Sequence, residues 1–228
     1  MAETSTKPRN MEPEPEDPFK RYKNLILSFG RTYKRQLIVA AVAICAVFIV
    51  GAGVLYFLQQ ARSNASAMLI QITERYEAVD KDAGAQELEK IKEDFQSLID
   101  EYGYTDAGNM ALLQYAGLCF RTGDHGRALA LYQRAYDAFE GNPHMSRLAL
   151  NGMAYTHAAM GDNKKAISLF QKIVDDENPA LKDQALFKLG LLYGRNGNPD
   201  KSRQAYERLV SEFPDSIFAP QARARLSG

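Results

Sequence analysis

The chain has 228 residues, with 28 basic side chains balanced by 28 acidic ones. A net charge of zero excludes a general polyanion binder, which needs an electropositive footprint, and so no nucleic-acid partner is expected. The only cysteines, Cys45 and Cys119, lie far apart in apolar contexts, which excludes a disulfide framework.

In chain order, residues 1–18 hold Pro8, Pro13, Pro15 and Pro18 among several acids, with little to bury. They are expected to form a disordered tail. Residues 19–36 carry Phe19, Tyr22, Ile26, Phe29 and Tyr33 at alternating steps of three and four, among the cations Lys20, Arg21, Lys23, Arg31, Lys34 and Arg35. Such a segment either lies on an anionic membrane surface or extends a spanning helix, with Gly30 as a hinge.

The next stretch, LIVAAVAICAVFIVGAGVLYFL (37–58), contains 22 residues without a charge. At helical rise it reaches roughly 33 Å, enough to cross a hydrocarbon core. Six cations precede it, and only Arg62 and Arg75 follow within residues 59–76. The positive-inside rule then holds the N-terminus in the cytoplasm and exports the rest. Ala65-Ser66-Ala67 imitates a signal-cleavage site, but the charged and apolar segments are both too long for a cleaved signal. An uncleaved anchor is expected. The span has no ionisable residue, which argues against a transport path.

Beyond the span the pattern becomes that of paired helices. In residues 184–216, Leu186, Leu189, Gly190 and Tyr193 form one apolar stripe, and Ser202, Tyr206 and Leu209 form the facing one. Gly197 is placed to end the first helix in a left-handed conformation; Asn198 and Pro199 are placed to cap and open the second. Gly190 and Ser202 are small enough to let the two axes approach. The same six-position pattern occurs upstream. Ala116, Cys119, Gly123, Ala128, Tyr132 and Ala135 align with Ala154, His157, Gly161, Ala166, Phe170 and Ile173, and these with Gly190, Tyr193, Gly197, Ser202, Tyr206 and Leu209. The successive offsets are 38 and 36 residues.

This register resembles the tetratricopeptide repeat (TPR), with its small, aromatic, glycine, alanine and aromatic positions and a proline near the end, here Pro214. Pro143 and Pro179 are read as opening the first helices of the copies that follow them. The family's usual Trp is replaced by Leu112, Leu150 and Leu186, and longer connections stretch the usual period of about 34. A degenerate copy upstream pairs Leu69, Ile72, Tyr76 and Val79 with Phe95 and Leu98, and its first helix is placed to continue directly from the spanning one. The segment 216–226 turns Ala219, Ala222 and Leu226 inward and Arg223 and Arg225 outward as a terminal cap. The fold class implied is all-α: one transmembrane helix (37–58), then a TPR superhelix over 61–228, with repeats at about 63–104, 107–142, 144–178 and 180–214.

The resemblance implies a groove lined by the first helix of each copy. Its inward positions are Met110, Leu113, Phe120 and Arg121; Leu148, Asn151 and Tyr155; and Gln184, Phe187, Leu191 and Arg195. The family's best-known groove clamps a chaperone's terminal carboxylate with Lys and Asn; only Asn151 matches here, which excludes that ligand. An apolar groove rimmed by Arg suits an extended or helical peptide with aromatic or aliphatic anchors.

Chemistry has little support. His125, His144 and His157 are scattered, His157 and Cys119 occupy a repeat-core position, and Gly190–Gly197 lacks a phosphate-loop ending. Asp80-Lys81-Asp82-Ala83-Gly84 reads as a hairpin turn; as a calcium loop it would need Glu where Ile91 stands. No enzyme, cofactor or metal is expected.

The whole layout is similar to the ancillary subunit family of the bacterial Sec translocon. The ending FPDSIFAPQA (213–222) also resembles outer-membrane assembly lipoproteins and periplasmic division-coordination proteins, although Cys45 lies mid-span, where it cannot be a lipoprotein cysteine. These resemblances imply an inner-membrane adaptor that presents its repeats to the periplasm and binds proteins such as translocon components or chaperones. The alternative is a structural protein whose repeats self-associate into a membrane-bound oligomer.

Overall fold

The computed structural model describes residues 19, 22, 23, 27, 33–79 and 85–227. The expected tail (1–18), Lys20, Arg21, Ile26, Phe29, Gly30, Arg31 and the turn at 80–84 lie outside the described residues. Among the described residues the structure is all-helical, with nine helices and no strand. They are α1 (Lys34–Ala78), α2 (Ala85–Tyr102), α3 (Asp106–Arg121), α4 (His125–Ala138), α5 (Pro143–Ala159), α6 (Asn163–Asp175), α7 (Lys182–Arg195), α8 (Pro199–Glu212) and α9 (Ala219–Ser227).

The chain divides into two units, Met1–Leu58 and Gln59–Gly228. In the first, α1 is long and apolar enough to cross a membrane by length and composition, and none of its most apolar window is buried. Val47, Phe48 and Ile49 are each more than 70% exposed. Lys34 and Arg35 open the helix and are exposed, as is Lys23 before it.

In the second unit the helices form a TPR-like superhelix of hairpins. The end of α1 and all of α2 bury Ala65, Ile72, Ile91, Phe95 and Leu98 against α3, with Leu69, Tyr76 and Val79 partly covered. Phe95 stacks on Tyr115 with ring centroids 5.9 Å apart. A second core joins α5 through α9 and contains Phe170, Ile173, Leu186, Leu189, Leu209, Ala219 and Ala222. Burying each large apolar side chain of these cores contributes about 1.5–3 kcal/mol.

Each hairpin turn is closed in the same way. Gly123, Gly161 and Gly197 have φ of 82°, 79° and 72°, the left-handed region that glycine enters without a Cβ clash. The following N–H then donates to the carbonyl of Cys119, His157 or Tyr193, each at 2.9 Å, satisfying an orphan carbonyl at the helix end. Asp124 and Asp162 cap the second helices by accepting from Arg127 N and Lys165 N, both at 3.2 Å. Asn198 departs from expectation. It occupies the equivalent place before Pro199 but makes no side-chain cap bond, its amide donating instead to Asn196 O at 3.3 Å.

Pro143 opens α5 as expected, behind an Asn142 cap. Pro179 does not open α7, which begins only at Lys182. Asp176 Oδ1 accepts from Asn178 N and Asn178 Oδ1 from Ala180 N, both at 2.9 Å. These two Asx turns consume the residues around the proline, and Leu181 enters the helix at φ 66°. A leucine in the left-handed region is strained and gives no sequence signal.

That connection is tied down by Arg147, which is 5% exposed on α5. Its guanidinium pairs with Asp176 and donates to Asn178 O at 3.3 Å. The Asn178 amide first and the Arg147 guanidinium second hold the Asp176 carboxyl below the usual range. Because Asp176 is half exposed, Arg147→Ala lets it rehydrate, and the expected cost is about 1–2 kcal/mol at neutral pH. A group with a depressed folded pKa stabilises above its unfolded pKa and loses that contribution as pH falls through the folded one. The stability gap between parent and variant is therefore expected to narrow below the ordinary aspartate range, as measured by urea unfolding at several pH values.

Candidate partner-binding face

The first helices of the three copies, α3, α5 and α7, present the residues expected to face a partner. On α3, Met110 and Leu113 are half-buried, and Phe120 is half-buried with its ring 5.4 Å from His125 across the hairpin turn. Arg121 is exposed and lies 4.6 Å over the ring of Tyr76, on α1. There the Thr73 hydroxyl donates to Gln114 Oε1 at 2.8 Å. Thr73, Tyr76, Val79, Leu88, Gln114 and Arg121, with Gly117, line a pocket of about 630 Å3.

On α5 and α7, Leu148 is 45% exposed, and Asn151 Nδ2 donates to Gln184 Oε1 at 3.1 Å. Asn151 Oδ1 is buried and accepts no hydrogen bond from the described residues. Tyr155 meets Phe170 edge-on with centroids 5.4 Å apart, and burial pushes its phenol up to about 12. Lys188 Nζ stands 4.8 Å over the same Tyr155 ring. Leu191 is partly buried against the second core, and Arg195 is exposed.

Phe187 sits apart from these. It is 8% exposed and stacks on Phe218 at 5.3 Å, with Tyr206 at 5.9 Å. The structure thus brings together Asn151 and Gln184, and pairs Arg121 with the degenerate copy. Sequence reasoning missed Thr73, Tyr76, Gln114 and Lys188. Gln114, Gly152 and Lys188 each stand two residues before the small position of their copy, and that shared column was the available signal.

His157 is 8% exposed, and its Nδ1 lies 3.5 Å from Asp162 Oδ2, a packed position within the hairpin. Cys119 is fully buried, and burial, with Asp124 adding to it, pushes its thiol up to about 11. Among the described residues no three His, Cys, Asp or Glu side chains converge in a metal-holding group.

Stacked helical hairpins with one shared face define a helical-repeat protein, a class whose fold typically serves as a non-enzymatic scaffold for protein partners. The chain belongs to the tetratricopeptide repeat-like domain family, whose model matches residues 29–225. In fold it is similar to a tetratricopeptide repeat protein from Parabacteroides merdae ATCC 43184, with a TM-score of 0.56 and 22% identity over 72% of this chain and 59% of that one. The chain thus spans about 59% of the length of that relative. It is also similar to a putative kinesin light chain with nearly identical TPR-like repeats from Podosopora anserina, with a TM-score of 0.51 and 12% identity over 75% of this chain and 83% of that one. A comparison with curated proteins gave no match.

Proposed function

We propose that this chain is a single-pass membrane-anchored adaptor. Residues 37–58 cross the bacterial inner membrane, the N-terminus stays in the cytoplasm, and the repeats bind protein partners in the periplasm. The reading rests chiefly on one observation: the apolar side chains of α1 before Leu58 point outward, with none of the most apolar window buried. Leaving so many large apolar groups in water is costly, whereas in lipid they stabilise the helix. The asymmetry of flanking cations supports the orientation, with Lys20, Arg21, Lys23, Arg31, Lys34 and Arg35 available to anionic headgroups. The layout shared with the ancillary Sec-translocon subunits favours secretion, chaperone or envelope-assembly clients.

A photo-crosslinking residue placed at Leu148 or Tyr155 in bacterial cells is expected to capture heterologous proteins. Self-crosslinks alone would replace this reading with that of a self-associating membrane oligomer. A reporter fused to the C-terminus is expected to be active in the periplasm, and activity in the cytosol would overturn the topology.

A further inference from the structure

Acidic residues are sparse on the first helices of the copies. α5 contains no acidic residue, and α7 contains one, Asp183, whose Oδ2 accepts from the Ser216 hydroxyl at 2.6 Å. One face of α7 carries Lys188 and, two turns on, Arg195. Among the described residues neither forms an ion pair. Elsewhere the fold answers its sheltered cations. Arg147 has Asp176, and Lys92 has Glu89 at 3.2 Å.

Lys188 is half-buried, its Nζ held over Tyr155. Burial first, and Arg195 second, pull its ammonium below the usual lysine range. A partly desolvated cation therefore shares a helix face with a second one two turns away, in a chain whose charges balance overall. A carboxylate between them would relieve both costs. By helix spacing Gln184 and Leu191 share the face of Lys188; Gln184 accepts from Asn151 of α5, and exposed Leu148 lies one turn before Asn151. This setting suits an acidic side chain flanked by apolar ones better than it suits a polyanion.

We infer that Lys188 and Arg195 form an anion subsite on the α5–α7 face that takes the side-chain carboxylate of a Glu or Asp within an extended, otherwise aliphatic partner segment. The inference builds on the partner-binding reading above and adds the chemistry of the client.

Three labelled peptides test it against the full chain in detergent, by fluorescence anisotropy. One is an amidated alternation of Leu and Glu, the second replaces each Glu with Gln, and the third is the Gln peptide with a free C-terminal carboxylate. The Glu peptide is expected to bind about tenfold more tightly than its amidated Gln counterpart, and to weaken with added salt. Lys188→Gln and Arg195→Gln are each expected to remove most of that preference, Lys188→Arg to retain it, and Lys164→Gln on α6 to leave it unchanged. Thermal melts of each variant keep loss of fold separate from loss of the subsite. Equal affinity for the Glu and Gln peptides, or no binding of either, overturns the subsite. Crosslinks at Leu148 and Tyr155 would still support the wider reading in both cases. Lys188-dependent binding of the free-carboxylate peptide alone also overturns the subsite, because the face would then be reading a chain end.

Discussion

Gly108→Ala is expected to destabilise the folded chain by about 3 kcal/mol, because the new methyl group has no room. A Cβ at this position would stand 2.1 Å from the Tyr102 carbonyl oxygen and 2.8 Å from Gly103 Cα. Both are backbone, so no side-chain rotation relieves the clash, and the corner between α2 and α3 must open. The Thr105 cap would be strained with it, since Gly108 N donates to Thr105 Oγ1 at 3.1 Å. For a chain of this size the loss corresponds to a melting temperature lower by roughly 6–12 °C. Gly126→Ala is the control. Nothing lies within 4 Å of a Cβ there, and alanine's helix propensity should add about 0.5–1 kcal/mol. If the two substitutions shift the melt alike, the corner is not close-packed.

The second large effect is expected at Gly190. A Cβ there would meet Tyr206 Cε1 at 2.4 Å and Cζ at 2.6 Å. Tyr206 is 4% exposed and its ring is also packed against Phe187, with centroids 5.9 Å apart. Overpacking of this kind costs about 1–3 kcal/mol, and the helix-propensity gain of alanine offsets about 1 of it. Gly190→Ala should therefore lower stability by up to about 2 kcal/mol, although glycine within a helix is ordinarily the weaker choice. A double-mutant cycle with Tyr206→Leu isolates the ring as the obstacle. The pair should cost at least about 1 kcal/mol less than the sum of the single changes. Additive losses would place the strain elsewhere.

The hairpin turns were legible because one physical demand recurs in three copies. Gly123, Gly161 and Gly197 all need positive φ, and glycine meets that need at little cost. The spacing of Ala116, Ala154 and Gly190 located the close approach of paired helices. At the last of these the Ser202 hydroxyl donates to Gly190 O at 2.7 Å. The turn before α7 was illegible, since its geometry comes from the Asp176 and Asn178 side chains folding back on their own backbone. The proline there marked a break in the helix without specifying where the next begins.

The candidate face was legible as a set of helix positions but not as a set of contacts. Phe187 stands at the same repeat position as Leu113 and Asn151, yet Phe218 covers it from 31 positions further along the chain. Periodicity within a copy contains nothing about such a contact. Tyr76 was legible as part of the degenerate copy's apolar face, but its contact with Arg121 was not, for a related reason. The degenerate copy lacks the glycine and the small residue that set the register, so no alignment assigns Tyr76 to Arg121.

The tyrosines at the aromatic position press on glycines of different helices. Tyr206 lies back over Gly190 of its own hairpin, whereas the Tyr132 ring reaches forward to α5, where a Cβ at Gly152 would be 2.3 Å from Cε1. In the other copies the residues aligned with Gly152 are Gln114 and Lys188, neither of which leaves a socket for a ring. The units are therefore not interchangeable beads. Evolutionary lengthening by tandem duplication meets a lock at this joint: only a copy carrying the vacant site can follow the one that contains Tyr132.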